Sequence, residues 1–177
     1  MSSNLMIAVS GKSGCGNTSV SRLVAEALGL RLINYTFHNY AEDLGISFEE
    51  MMARASRDTS WDLKLDEKQL HLARQGGCVL GSRLAIWLLK EATLKVYLTA
   101  SPRVRAERIS GRESKDIERV MAETASRDAN DRQRFLSLYK IDNDDYSFAD
   151  LIINTEEGDQ YAIALKIVDK VRSLDLA

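Results

Sequence analysis

The segment that most constrains this chain is Gly11-Lys12-Ser13-Gly14-Cys15-Gly16-Asn17-Thr18, a glycine-rich turn set between an apolar run and a helical pattern. Leu5-Met6-Ile7-Ala8-Val9 before it reads as a buried strand. After it, Val20, Leu23, Val24, Ala27 and Leu28 recur at helical spacing until Gly29 stops them. Glycine spacing and the terminal Thr match the phosphate-cradling loop G-x-x-x-x-G-K-[ST], with Asn17 where the lysine belongs. Successive backbone N–H groups at a helix N-terminus form an anion site that needs no lysine, and Thr18 can still offer its hydroxyl to Mg²⁺. What Asn17 removes is the ammonium that normally follows the transferring phosphates. A charge-assisted contact of that kind contributes roughly 1.5–3 kcal/mol.

The rest of the chain continues the alternation. Arg31 to Asn34 is a candidate second strand, and Ser47-Phe48-Glu49-Glu50 has capping-box spacing for a helix through Met52. Trp61, Leu65 and Leu72 share a helix face. Cys78-Val79-Leu80 and Leu94 to Leu98 read as buried strands separated by the helical-looking Leu84 to Lys90. The only proline, Pro102, follows Ser101, an N-cap followed by a first helical position where a missing N–H costs nothing. That helix runs towards Arg112, a longer one spans about Asp116 to Tyr139, Leu151-Ile152-Ile153 forms a fifth strand, and Ile163, Ile167, Val171 and Leu174 stripe a last helix. At 177 residues this predicts one α/β domain over residues 1–177, a five-stranded parallel sheet with helices on both faces.

Composition narrows the partners. A formal charge of −2 argues against a protein that coats nucleic acid. The apolar stretch Leu84 to Leu89 is far below the roughly 20 residues of a membrane span, and the N-terminus lacks a secretory pattern, so a cytoplasmic protein without a membrane partner is expected. Cys15 and Cys78 have no ligand spacing and are expected reduced; Cys15, at a helix N-terminus, sits where a thiolate would be favoured. His38 and His71 are far apart and read as satisfied or exposed side chains, and Trp61 and Trp87 as packing anchors.

Inside the −2 balance lies a basic helix. Arg103, Arg105, Arg108 and Arg112 meet one acid, Glu107, and Arg105, Arg108 and Arg112 share a face. Arg127, Asp131 and Arg134 share a face of the next helix. Forked guanidiniums suit phosphate oxygens, and an Asp between them can orient an arginine or accept from a base amino group. The alternative is a solvated, salt-bridged surface.

Read together, the loop, Leu80-Gly81-Ser82-Arg83-Leu84-Ala85-Ile86-Trp87, Val104 to Arg108, Arg127-Asp128-Ala129-Asn130-Asp131-Arg132-Gln133-Arg134 and Asp150 to Thr155 resemble the cytidylate kinase family, closest to its short archaeal-type members. The likeness runs from about Ile7 to Thr155. It implies a three-layer P-loop nucleoside monophosphate kinase fold with a small helical lid, about residues 105–134, that transfers the ATP γ-phosphoryl to CMP or dCMP with Mg²⁺ as cofactor. Carried over, ATP is expected on Gly11, Lys12, Ser13, Gly14, Cys15, Gly16, Asn17, Thr18 and Ser19, with Thr18 at the metal. CMP is expected on Thr36, Arg83, Arg127, Asp131 and Arg134. Arg105 and Arg108 match arginines at the start of the lid, expected to close on the transferring phosphoryl and exclude water. Lys12 is the candidate to replace the loop lysine, within the chain or across a homodimer, as a comparable extra lysine does in the deviant Walker-A ATPases.

This chain departs from the family pattern at three places. Asn17 replaces the loop lysine, Gly81 replaces an acid at the end of the third strand, and Asn34 to His38 replaces a longer acceptor-reading segment. Two other readings therefore accompany the kinase: a nucleotide-binding regulatory module without catalysis, and a phosphotransferase for another small acceptor.

Overall fold

The computed structural model describes residues 4–174. Five strands, β1 (Met6–Gly11), β2 (Arg31–Ile33), β3 (Cys78–Gly81), β4 (Leu94–Thr99) and β5 (Leu151–Asn154), form one sheet in the order β2-β3-β1-β4-β5. Every pairing is parallel, with Val9 opposite Gly81 on one side and Val96 on the other. The helices are α1 (Asn17–Leu28), α2 (Phe37–Leu44), α3 (Phe48–Arg57), α4 (Ser60–Ala73), α5 (Ala85–Leu88), α6 (Pro102–Glu113), α7 (Ile117–Tyr139) and α8 (Gln160–Arg172).

Alternation along the strands builds two cores. Ile7, Val9, Val96 and Leu98 point into one face with Val20 and Val24 of α1 and Ile163 and Ile167 of α8. Ala8, Leu80 and Tyr97 point into the other with Ile33, Ala73, Ile86 and Leu89. Burial on both sides is what makes β1 and β4 read as apolar runs, as the parallel arrangement requires. Trp87 anchors the second face, edge-on to both Tyr97 and Phe148. A third, separate cluster of Ala106, Ile109 and Val120 joins α6 to α7 and gives that hairpin its own seam.

The caps account for most boundaries. Ser101 accepts the Val104 N–H and Pro102 opens α6, as expected from the lone proline. At Ser47 only half of the expected box forms: its hydroxyl accepts from the Glu50 N–H at 3.1 Å, while the Glu50 carboxylate pairs with Arg54. The helix read over Leu84 to Lys90 shrinks to a single turn, Ala85–Leu88. An unforeseen helix, α2, starts inside the acceptor-reading segment, where the Asn39 side chain accepts from both the Thr36 N–H and its hydroxyl.

Candidate active site

The loop between β1 and α1 holds its shape through backbone conformation. Gly14 and Gly16 sit at φ +84° and +87°, a region that side chains rarely adopt. A Cβ on Gly14 would lie 2.7 Å from the Arg105 carbonyl oxygen. No side chain caps α1; its cap position is Gly16 itself. The first intrahelical acceptor is used by the Val20 N–H, onto Gly16, so the amides of Asn17, Thr18 and Ser19 are left for a ligand. Two arginines of α6 brace this loop. Arg105, 4% exposed, donates Nε–H to the Ser13 carbonyl at 2.7 Å and forks onto Asp128 at 2.8 and 2.9 Å. Arg108 reaches the Gly14 carbonyl and both the hydroxyl and carbonyl of Thr155.

This loop forms one end of a cleft of about 920 Å³. Ser82, Arg83 and Leu84 line it from the turn that follows β3, and Arg108 and Arg112 from α6. Arg127 and Arg134 come from α7, and Tyr35, Phe37, Met52, Leu65, Asp66 and Gln69 complete the lining. Arg112 and Arg127 are exposed on the cleft and, among the described residues, make no ion pair, so both guanidiniums keep their full donor capacity.

Of the residues expected at the site, Gly11 to Ser19, Thr36, Arg83, Arg108, Arg127 and Arg134 lie on this cleft. Arg105 and Asp131 do not. Contrary to the expected contact with the transferring phosphoryl, Arg105 is a buried brace of the loop and does not line the cleft. Asp131 pairs with Arg83 and with Arg134, the latter at 3.1 Å, so it orients two guanidiniums. Arg83 also donates to the Ser13 hydroxyl at 3.0 Å, tying the acceptor side to the loop. Lys12 pairs with Asp144 at 2.6 Å, so its ammonium is drawn towards the loop before β5. Burial pushes the Cys15 thiol up despite nearby Arg105, correcting the expectation of a favoured thiolate. Both cysteines are free, and His38 stacks on Phe48 at 3.6 Å.

The two most unusual residues prove to be neighbours. The buried Ser21 hydroxyl donates to Asn17 Oδ1 at 3.0 Å. A Cβ on Gly81 would lie 2.7 Å from that same hydroxyl oxygen and 3.4 Å from Asn17 Oδ1. Asn17, Ser21 and Gly81 thus form one uncharged unit where the P-loop pattern has a lysine and the family an acid. Spacing could not have revealed Ser21, because one turn of α1 carries it to β3. Asp62, Asp66 and Gln69 were equally missed, because nothing in α4 resembles a motif, whereas Arg112 stands on the arginine face read from the sequence.

Among the described residues no group of three or more His, Cys, Asp or Glu side chains could hold a metal. With Gly81 contributing no carboxylate, the donor set suits Mg²⁺ only as the companion of a bound phosphate chain, with the exposed Thr18 hydroxyl as its protein contact.

A parallel sheet whose first strand feeds a glycine anion loop defines the class: a P-loop kinase fold. Solved structures agree on that fold. Shikimate kinase from Acinetobacter baumannii in complex with shikimate superposes with a TM-score of 0.67 at 18% identity, covering 98% of this chain and 96% of that one. Deoxyadenosine kinase from M. mycoides with bound dATP gives 0.57 at 17%, covering 96% and 100%. Residues 6–157 match the cytidylate kinase-like family, and the chain belongs to that family. It is 44% identical over 173 residues to "Cytidylate kinase 2" of Borrelia garinii subsp. bavariensis, covering 94% of this chain and 97% of the relative. It is 40% identical over 155 residues to "Cytidylate kinase" of Pyrococcus horikoshii, covering 86% and 81%. The chain is therefore a kinase by family, a phosphotransferase with a nucleotide-binding P-loop.

Proposed function

We propose that this protein transfers the γ-phosphoryl of ATP to CMP or dCMP. The observation that carries the reading is one cleft lined both by a glycine anion cradle and by the guanidiniums of Arg83 and Arg134, with unpaired Arg112 and Arg127 beside them. Names of relatives at 40–44% identity support cytosine as the acceptor's base.

In this reading the amides of Asn17 to Ser19 and the loop backbone hold the triphosphate. Mg²⁺, bound with ATP at Thr18, supplies charge neutralisation on the phosphate oxygens. Arg83 and Arg134, aligned by Asp131, hold the acceptor phosphate in line with the γ-phosphoryl. Positioning and charge neutralisation account for most catalysis of this type, so no general base is required of His38 or His71. Arg112 and Arg127 close on the equatorial oxygens as charge moves between donor and acceptor, contributing the cationic donors that Asn17 does not. Closure of α6 and α7 as a lid over residues 105–134 would exclude water as a competing acceptor. Lys12 joins them only if ligand phosphate displaces Asp144.

A coupled ADP-release assay with ATP·Mg²⁺ against CMP, dCMP, UMP, AMP and GMP tests this, run beside Asn17→Lys and Lys12→Ala. CMP-dependent turnover by the parent is the expected result. Turnover only after Asn17→Lys would identify a silenced kinase, and ATP binding without turnover in both would identify a nucleotide-binding module. If another small acceptor alone supports turnover, the cytidine assignment falls.

A further inference from the structure

The α4 carboxylates on the cleft have no part in the mechanism above. Asp62, Asp66 and Gln69 lie at i, i+4 and i+7 on α4 and all line the cleft. Gln69 is committed, donating to the Tyr35 carbonyl at 2.6 Å, and Asp62 faces the Arg134 guanidinium at 3.5 Å. Asp66 has no ion pair among the described residues. Its Oδ2 accepts the phenolic O–H of Tyr139, the last residue of α7. Its Oδ1 has no hydrogen-bond partner among the described residues, and the side chain opens on the cleft. Phe37, Met52 and Leu65 also line the cleft, giving it apolar surface against which a flat base can lie, while Arg83 and Arg108 are tied to the loop.

We propose that Asp66 is the specificity-determining residue for the acceptor's base, its free oxygen accepting an N–H of the exocyclic amino group, with Tyr139 as the residue that positions it. This deepens the kinase reading and rests on it. Cytosine presents N4–H₂ donors where uracil presents the O4 acceptor. An ionised carboxylate can only accept, so it pairs with cytosine and sets two acceptors against each other with uracil. A site built around one hydrogen bond rejects the analogue that cannot make it, because its polar group is then left buried and unpaired. CMP and dCMP share this base edge and are not distinguished by it.

The accepting form is pH-dependent. Burial raises the Asp66 carboxyl to about 6, opposed by the Tyr139 hydrogen bond and by Arg134 of α7, and reinforced by the charge of Asp62 on its own helix. Asp66 is therefore an acceptor above that pH and a donor below it.

The test is kcat/KM of the full chain for CMP, dCMP and UMP between pH 5 and 8, in the parent, Asp66→Asn and Tyr139→Phe. Asn keeps the shape and adds an N–H₂ donor that uracil can use. Asp66→Asn is expected to lower the CMP:UMP ratio by at least about tenfold while leaving CMP:dCMP within about twofold. In the parent the CMP:UMP ratio rises as pH crosses about 6. In Tyr139→Phe that inflection moves to higher pH, a response that a merely structural contact would not give. A parent active on CMP whose Asp66→Asn variant keeps its base ratio overturns this inference alone. A parent that neither turns over nor binds any nucleoside monophosphate, by calorimetry with CMP, overturns the kinase reading and this inference with it.

Discussion

At Gly14 two independent constraints meet in one residue. Its φ of +84° disfavours any side chain, and the Arg105 backbone leaves no room for one. Gly14→Ala is expected to combine about 1–2 kcal/mol of left-handed strain with a steric overlap that pushes α6 off the loop. A lowered Tm together with lost ATP binding by calorimetry would bear this out; retained ATP binding would not. Arg105 carries the complementary prediction. Truncating it to Ala leaves Asp128 without its cation, a change that costs about 3–5 kcal/mol when one partner of a buried pair is removed. Arg105→Lys should recover little, because one ammonium cannot make the fork onto Asp128 and the contact to the Ser13 carbonyl together. Denaturant midpoints of the two variants measure both statements.

The α6/α7 hairpin separates bracing from binding among its arginines. Arg105 and Arg108 turn down onto the loop, and Arg112 and Arg127 stay open to the cleft. Arg112→Ala and Arg127→Ala are each expected to lower kcat/KM by about ten- to a hundredfold, the value of a charge-assisted contact, with Tm nearly unchanged. Equal loss of Tm in either would show that the guanidinium is structural. The elements themselves were legible: apolar runs mark β1, β3, β4 and β5, and the Ser101-Pro102 pair marks the start of α6. Helical spacing also placed Arg105, Arg108 and Arg112 on one face. It could not say which of them would be buried, because that depends on Asp128, a residue 23 positions further on that only folding brings to Arg105. Likewise α2 escaped because its start is made by a Thr36–Asn39 contact, not by an apolar period.

Over the whole molecule, the −2 total hides a division of labour between charges that hold the fold and charges left for a ligand. Asp128 and Asp131 are spent on arginines within the fold, which is why a local basic excess in the sequence does not translate into a uniformly basic cleft. Asp66 is the exception, because burying its carboxylate without a paired cation works against stability. Its carboxyl titrates near 3.8 in an unfolded chain and about 6 in the folded one, so between those values the folded state binds the extra proton. Stability from this group is therefore present at low pH, declines as pH rises from about 4 to 6, and stays lost above that. The displacement corresponds to a cost on the order of 3 kcal/mol at neutral pH. Asp66→Asn should consequently raise stability at pH 7.5 and change it little at pH 4, opposite to the loss expected from removing a salt-bridged acid. Urea unfolding of the parent and the variant at those two pH values measures the difference. A variant less stable than the parent at pH 7.5 would mean that the ionised carboxylate supports the fold.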